Sequence, residues 1–468
     1  MFLELDRKNR HNVAMIDSNG NQVSYGEIVD FGLSFQSAIP KRTLIFVLSS
    51  NCVGAAMGYF GAMINRIVPL MLGASMDGEL LDNLIGIYRP EYIWKPADMA
   101  EAEEEILLRE YGYVLVATGL TGYPLYEELS LLLTTSGSTG SPKLVRHSYG
   151  NLEAQARNIS AFFGLDDTER PLLDLPIHYT YGLSVLNSHL YSGATALLTS
   201  MNVLNPKYWD FLKGQKATSF TNVPYAYEIL KKLRVFRMEL PALKTFSQGG
   251  GKLSEELHKE FAEYARQTGR KFIVTYGQTE GSARMAYLPA EYALEKCGSI
   301  GKAIPNGRLY LVDEEGKEIS EPGVIGEMVY QGPNVTLGYA QSGEDLVLGD
   351  ERHGTLYTGD MVKTDTDGFF YIVGRKKRFL KLCGYRVGLD ECENIIKTAF
   401  DTECACVGND ECMDIYVTSE QEHEEIKRYI SNKININSNV FRIHYIEKLP
   451  RNEAGKILYS MLDNRNKE

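Results

Sequence analysis

The stretch Thr43-Leu44-Ile45-Phe46-Val47-Leu48 is an apolar run with the length and residue types of one buried strand. A short polar break follows. Residues 53–64 then read as a buried helix and 66–71 as a second strand. The same strand–helix alternation recurs around 194–198, 217–220 and 272–274. Alternation of this kind predicts an α/β fold whose layers contain mostly parallel sheets. Two later apolar runs, 309–312 and 326–330, lie between turn signals without long helices, which predicts a smaller antiparallel sheet or β-barrel-like subdomain. Asp365-Thr366-Asp367-Gly368 is a tight turn by composition. The polar run Gly374-Arg375-Lys376-Lys377-Arg378 after it marks a boundary. The expected organisation is a large N-terminal domain over 1–374 and a small C-terminal α/β domain over 375–468.

With 468 residues the chain exceeds one ordinary core, consistent with two or three domains. Hydrophobic content of 44% and charged content of 24% are those of a globular protein. A net charge of −12 argues against nucleic acid as the main partner, because phosphate backbones need a basic surface. The most apolar stretch, 55–72, is interrupted by Asn65 and Arg66, so no membrane insertion is expected. The N-terminus has no basic start and apolar run of a signal peptide. The 7 cysteines include no Cys-x-x-Cys pair and no zinc spacing near Cys404, Cys406 and Cys412, so reduced thiols in a cytoplasmic protein are expected.

Function is legible first in Thr134-Thr135-Ser136-Gly137-Ser138-Thr139-Gly140-Ser141-Pro142-Lys143, which follows the strand-like Leu131-Leu132-Leu133. Small residues let backbone amides approach phosphate oxygens, hydroxyls donate further hydrogen bonds, and Lys143 adds a compact positive charge. A flexible Ser/Gly linker would not sit between an apolar strand and an amphipathic helix beginning near Asn151, nor require the lysine. The Walker spacing is absent, because Gly140 is followed by Ser-Pro-Lys. Four further motifs follow: Gly249-Gly250-Gly251-Lys252-Leu253, Tyr276-Gly277-Gln278-Thr279-Glu280, Tyr357-Thr358-Gly359-Asp360 with Gly374-Arg375, and Leu449-Pro450-Arg451-Asn452-Glu453-Ala454-Gly455-Lys456.

In order and spacing this set resembles the AMP-forming adenylating superfamily of acyl-CoA synthetases, non-ribosomal adenylation domains and firefly luciferase. The resemblance runs from Asn12 to Lys456. It implies that Thr135, Ser136, Gly137, Ser138, Thr139, Gly140 and Lys143 bind the ATP phosphates. It implies that Gly249, Gly250 and Gly251 lie against adenine, that Tyr276 stacks on it, and that Asp360 supported by Arg375 holds the ribose. Thr279 would contact phosphate and Glu280 would hold Mg²⁺, which characteristically takes one or two carboxylates plus phosphate oxygens. Lys456 would be the catalytic lysine, neutralising the substrate carboxylate and the α-phosphate together.

The resemblance further implies a mobile C-terminal domain hinged at Lys377, with Gly384 and Arg386 lining a thiol tunnel. The chain departs from the family pattern in having Gly388 where a glutamate is usual and Tyr357 where many relatives have arginine. Leu175-Pro176-Ile177-His178-Tyr179-Thr180-Tyr181-Gly182 resembles the helix start beside the acyl pocket, so Tyr179, Tyr181, Gly182, Asn222 and Gly277 are expected to line it. Gly182 falls where amino-acid-activating relatives place an aspartate, and a buried ammonium without a carboxylate is costly. The expected activity is ATP-dependent conversion of a small carboxylic acid, not an α-amino acid, to an acyl-adenylate with release of pyrophosphate. Transfer to coenzyme A, or to the phosphopantetheine arm of a separate carrier protein, would follow. The alternatives are an amide ligase with an amine acceptor and a non-catalytic nucleotide-binding relative.

Overall fold

A computed structural model of the chain describes residues 1–134, 143–376, 378–382, 385–400, 402–409, 411–420, 422–434, 436–452 and 455–463. The chain forms two compact units, Met1–Arg308 with Tyr330–Leu356, and Leu309–Val329 with Tyr357–Glu468.

The first unit contains two large sheets. In the nine-stranded sheet, Val13–Asp17, Ala196–Leu198, Pro171–Leu173, Ser219–Asn222, Thr245–Gln248 and Lys271–Tyr276 lie side by side and parallel. The eight-stranded sheet has Val68–Gly73, Leu44–Ser49 and Tyr92–Pro96 parallel at its centre, with Leu129–Thr134 parallel to Val68–Gly73. These are the α/β layers read from the alternation of apolar runs. The strand expected at 66–71 begins two residues later, because Arg66 adopts φ 58° and Ile67 N–H returns to the Ala62 carbonyl, closing the preceding helix. The helix expected near Asn151 begins at Tyr149, since Ser148 Oγ accepts from Asn151 N–H and the Asn151 side chain caps Ser148 in return.

Helix Val53–Ile64 shows how the core is made. It is buried along almost its whole length despite carrying Gly54, Gly58 and Gly61. Helix-interior glycine ordinarily costs about 1 kcal/mol relative to alanine. Here the missing side chains make room for aromatic rings. A Cβ on Gly58 would stand 2.1 Å from Trp94 Cδ1, and one on Gly54 would stand 2.4 Å from Tyr113 Cδ2. Trp94 Nε1 donates to the Gly54 carbonyl at 2.8 Å, and its ring stacks on Tyr113 with centroids 5.8 Å apart. The glycine face is therefore a socket for the strand residues beneath it.

In the second unit, Arg308–Val312, Glu318–Ile319, Gly326–Gln331, Thr355–Thr364 and Phe370–Arg375 make a five-stranded sheet, the smaller β subdomain expected from the later apolar runs. Beyond it come a two-stranded ribbon, Phe379–Leu382 with Tyr385–Gly388, and a three-stranded sheet of Cys404–Asn409, Cys412–Val417 and Phe441–Tyr445. Helices Leu389–Phe400 and His423–Ile434 contribute Cys392, Ile396, Ile426 and Ile430 to a core shared with Cys404 and Cys406. Burial pushes the Cys392 and Cys404 thiols up to about 12, so both stay protonated and serve as small apolar side chains. Among the described residues no helix is long and apolar enough to cross a membrane.

The socket yields a prediction of opposite sign to helix propensity. Gly58→Ala should lower the thermal unfolding midpoint, with a loss of about 1–3 kcal/mol from overpacking. An unchanged or raised midpoint would show that Trp94 does not need the glycine.

Candidate active site

The first unit's parallel strands end on a common rim. Asp174, Asn222, Gly249 and Tyr276 lie at the carboxyl ends of four neighbouring strands or one residue beyond. Crevices outside such ends are where open α/β sheets bind ligands. The predicted phosphate residues Thr135, Ser136, Gly137, Ser138, Thr139 and Gly140 lie outside the described residues, as do Lys377 and Gly384 and the side chain of Arg386. Lys143 is described, just before strand Leu144–Ser148.

Lys143 and Glu280 meet through a residue the sequence reading missed. Lys143 Nζ lies 3.3 Å from the centroid of the Tyr339 ring, a cation–π contact. The Tyr339 hydroxyl donates to Glu280 Oε1 at 2.7 Å. Burial and then the Glu280 charge raise the Tyr339 phenol well above its ordinary range, so it remains a donor. Arg352 joins the group with its guanidinium carbon 4.5 Å from the same ring centroid, and it donates to Thr336 Oγ1. Glu280 is a single carboxylate with one oxygen taken by a neutral hydroxyl, beside two cations. That donor set suits a Mg²⁺ ion held chiefly by phosphate oxygens rather than by a protein cage.

Glu280 is aimed by a constrained turn. After strand Lys271–Tyr276 the chain passes Gly277, forms the 3-10 turn Thr279–Gly281 and doubles back into Ala286–Leu288. A Cβ on Gly277 would fall 1.6 Å from the Ala283 carbonyl oxygen, so only glycine fits. Ser282 and Ala283 both have positive φ, 51° and 92°. Left-handed non-glycine residues cost on the order of 1–3 kcal/mol each and collect at functional sites. Side chains from elsewhere hold the turn's carbonyls. Thr336 donates to Glu280 O at 2.9 Å and Asn334 to Gly281 O at 2.7 Å, while Gln155 and Asn334 donate to Arg284 O at 3.1 and 3.2 Å. The segment Gly332-Pro333-Asn334-Val335-Thr336-Leu337-Gly338-Tyr339 thus supports the site. Its sequence cue was the Gly-Pro-Asn turn ahead of an aromatic.

The expected acyl-pocket residues are divided by the structure. Tyr181 OH lies 3.3 Å from Thr275 Oγ1 and would be 2.7 Å from a Cβ on Gly249, so Tyr181, Gly249 and the end of the Tyr276 strand are neighbours. Gly250 has φ +77°, and a Cβ there would be 3.2 Å from Val223, while Gly251 approaches Pro224. Tyr179 precedes helix Thr180–Tyr191 and its ring leans on His178 with centroids 4.4 Å apart. A Cβ on Gly182 would be 2.6 Å from the Leu175 carbonyl oxygen and 2.4 Å from that of Pro176. The lack of an acid side chain at 182 is therefore imposed by backbone packing. Asn222 gives its Nδ2 to both carboxylate oxygens of Asp174 at 2.9 Å, and Tyr208 OH donates to Asp174 at 3.0 Å. Asp174 was also missed; its cue was an acid inside the apolar run Leu172-Leu173-Asp174-Leu175-Pro176.

In the second unit Asp360 is 2% exposed and faces Arg375 across antiparallel strands, with Arg375 Nε 3.0 Å from Asp360 Oδ1. Gly359 at φ +71° and Thr358, whose Oγ1 donates to Met328 O and accepts from Asp360 N–H, fix the acid's approach. Lys456 is exposed on a tight loop closed by the Arg451–Ile457 bridge. Asn452 Oδ1 accepts from Lys456 N–H at 2.9 Å, and Gly455 turns with φ +72°. Arg451 braces the loop by donating to Gly455 O at 2.9 Å and to Glu403 at 3.1 Å.

Residues 6–340 match the family model described as AMP-binding enzyme. The chain is 25% identical to the 2-succinylbenzoate–CoA ligase of Oceanobacillus iheyensis over 94% of each protein. It is 30% identical to that of Bacillus mycoides over 71% of this chain and 69% of the relative. Among solved structures, the o-succinylbenzoate CoA synthetase of Bacillus subtilis in complex with its acyl-adenylate intermediate superimposes with a TM-score of 0.79. That match covers 98% of this chain and 97% of the other at 19% identity, a likeness of fold.

Asp174 generates a pH prediction. Burial pushes its carboxyl from the ordinary 3.8 up to about 7, against the lowering effect of Tyr208 and Asn222. The folded state therefore binds this proton more tightly than the unfolded chain. The contribution of Asp174 to stability is fully present below about pH 4 and is lost as pH rises towards 7. Asp174→Asn should flatten the fall in unfolding midpoint between about pH 4 and 7. Parallel midpoint-against-pH curves for variant and parent would refute the assignment.

Proposed function

The chain belongs to the AMP-binding enzyme family, and on that premise we propose that it is an AMP-forming acid–thiol ligase. It would use ATP to convert a carboxylic acid to an acyl-adenylate and pass the acyl group to a thiol. The observation that carries this reading is the meeting of Lys143 and Glu280 on Tyr339 at the rim of parallel strands. In the first step an oxygen of the acid attacks the α-phosphorus and pyrophosphate leaves. In the second a thiol attacks the adenylate carbonyl and AMP leaves.

The proposed roles follow from charge and shape. Lys143 binds the phosphates, with Arg352 as a second cation beside it. Tyr339 orients Glu280, the candidate magnesium ligand. Bound there, Mg²⁺ would offset the charge on the departing pyrophosphate. Gly249, Gly250 and Gly251 offer a flat backbone surface to adenine beside Tyr276, and Asp360 with Arg375 takes the ribose hydroxyls, for which a fixed carboxylate is suited. Lys456, borne by the proposed C-terminal domain over 375–468, supplies an ammonium to the carboxylate and the α-phosphate.

The named relatives are CoA ligases, which favours coenzyme A as acceptor over a carrier-protein arm or an amine. Position 182 accommodates no side chain carboxylate, which supports an acid without an α-ammonium group. A cytoplasmic location accords with the buried, protonated thiols of Cys392 and Cys404.

The test is acid-dependent exchange of labelled pyrophosphate into ATP, followed by mass analysis for the acyl-CoA thioester. Exchange with some acid, and a thioester on CoA, are expected. Exchange without a thioester would favour the amide ligase, and none with any acid would favour a nucleotide-binding protein. Lys456→Ala should lower adenylation by about 100-fold or more, with much less change in ATP affinity. Undiminished exchange in that variant would remove the lysine from the reaction.

A further inference from the structure

Arg378 ends the polar run at the domain boundary, yet its side chain is largely buried, 19% exposed. It donates through Nη1 to Asp390, and through Nη2 to Glu393 Oε1 at 2.9 Å and to the Cys406 carbonyl at 2.8 Å. Its guanidinium carbon lies 3.8 Å from the centroid of the Tyr459 ring. The Tyr459 hydroxyl donates to the other Glu393 oxygen at 3.1 Å. Guanidinium, carboxylate and phenol thus close a triangle in which each member touches the other two. Burial and then the Glu393 charge push the Tyr459 phenol upward, so it keeps its proton and stays the donor. Glu393 Oε1 also accepts from Cys406 N–H at 2.8 Å, which ties the triangle to strand Cys404–Asn409.

Tyr459 stands three residues beyond Lys456. Upstream, Arg451 holds the lysine's loop to Glu403. Downstream, Leu458 N–H returns to the Pro450 carbonyl at 2.8 Å, and Ile457 and Tyr459 pack against Ala405, Val407 and Leu449. A largely buried arginine between two acids is weak evidence for stability, since apolar residues of similar volume often serve as well. What such a group fixes is direction: a fork on two carboxylates, laid over a ring face, admits few placements of Tyr459. Lys376, two residues earlier, is fastened elsewhere. Its Nζ meets Glu327 Oε2 at 2.7 Å and its N–H donates to the Gly359 carbonyl at 2.7 Å, on the five-stranded sheet that carries Asp360. The chain at the boundary is therefore tied on one side to the Asp360 sheet and on the other to the Lys456 loop.

We propose that Arg378 is a positioning residue for adenylation: with Glu393 it holds Tyr459, and through Tyr459 it sets the direction from which the Lys456 ammonium reaches the acid and the α-phosphate. The proposal rests on the adenylation reading above and deepens its account of Lys456. Arg378 acts through the loop and adds no bond to either step. Its effect falls on the first step, in which the lysine acts. Attack of the thiol on a finished adenylate does not call on it.

Two assays separate the steps: pyrophosphate exchange, and single-turnover reaction of coenzyme A with a chemically prepared adenylate of the acid that exchanges fastest. Tyr459→Phe keeps the ring under the guanidinium and removes only the hydroxyl from Glu393. It should lower kcat for exchange by about 10-fold, with KM for ATP changed by less than about 2-fold and thioester formation from the supplied adenylate unchanged. Arg378→Met should lower the same kcat by about 100-fold, and Arg378→Lys should recover part of the loss. In a Lys456→Ala background neither Tyr459→Phe nor Arg378→Met should slow the residual exchange further, the coupling expected of residues that act through one another. Undiminished exchange in Tyr459→Phe would overturn the proposal, and that variant decides the matter where Arg378→Met does not fold. Equal slowing of both steps, or losses that add to that of Lys456→Ala, would overturn it too, as the marks of a merely structural arginine. Absence of exchange in the parent protein with every acid would instead refute the adenylation reading, and this inference with it.

Discussion

The candidate site depends on one backbone constraint, the reversal of the chain between Tyr276 and Met285. The return segment lies so close to the outgoing strand that Gly277 faces the Ala283 carbonyl with no room for a Cβ. Beyond the single 3-10 turn Thr279–Gly281 the reversal has no regular structure, so its remaining carbonyls need partners from elsewhere. Gln155, Asn334 and Thr336 provide them. Without those three side chains, two left-handed non-glycine residues in sequence would relax, and Glu280 and Arg284 would lose their directions together. The directions of the Glu280 carboxylate and the Arg284 guanidinium are thus set by the same short loop.

The two large sheets supply the rigidity this loop needs. Parallel strands bring their carboxyl ends to one edge, where groups far apart in sequence become neighbours. Asp174 and Asn222 meet there across adjacent strands, and Tyr181 reaches the Gly249 turn. Beneath, the glycine face of helix Val53–Ile64 accepts Trp94 and Tyr113 in contacts too close for any side chain. In the second unit strand register does comparable work, since antiparallel pairing sets Asp360 opposite Arg375 and Thr358 anchors the approach to it.

Much of this was legible in the residues. The apolar runs located the central strands of both sheets to within a residue or two, because a strand buried on both faces reads as a continuous apolar stretch. Errors arose at the ends, where a left-handed Arg66 or a capping Ser148 shifted the boundary. Lys143, Glu280, Asp360 and Arg375 stood out through motifs in which local spacing carries the chemistry. Tyr339 and Arg352 did not, because nothing in their own segment shows that they gather around Glu280. Asn222 was expected at the pocket wall, and its amide is committed to Asp174. Gly182 was read as a missing acid, whereas the Leu175 and Pro176 carbonyls leave no space for one.

By itself the sequence determined the α/β alternation, the smaller β subdomain and the adenylating family, each of which rests on short-range pattern: apolar run lengths, turn residues and motifs of fewer than a dozen positions. Tertiary structure alone decided which side chains share a site. Hydrogen bonds such as Tyr339 to Glu280, and cation–π contacts such as Lys143 to Tyr339, join residues tens to hundreds of positions apart and leave no periodic trace along the chain. The burial of Arg284 is of the same kind. Nothing in the string Gly281-Ser282-Ala283-Arg284 marks the arginine as buried, and only the packing of Phe163, Tyr181 and Ser184 around it places the guanidinium in the interior.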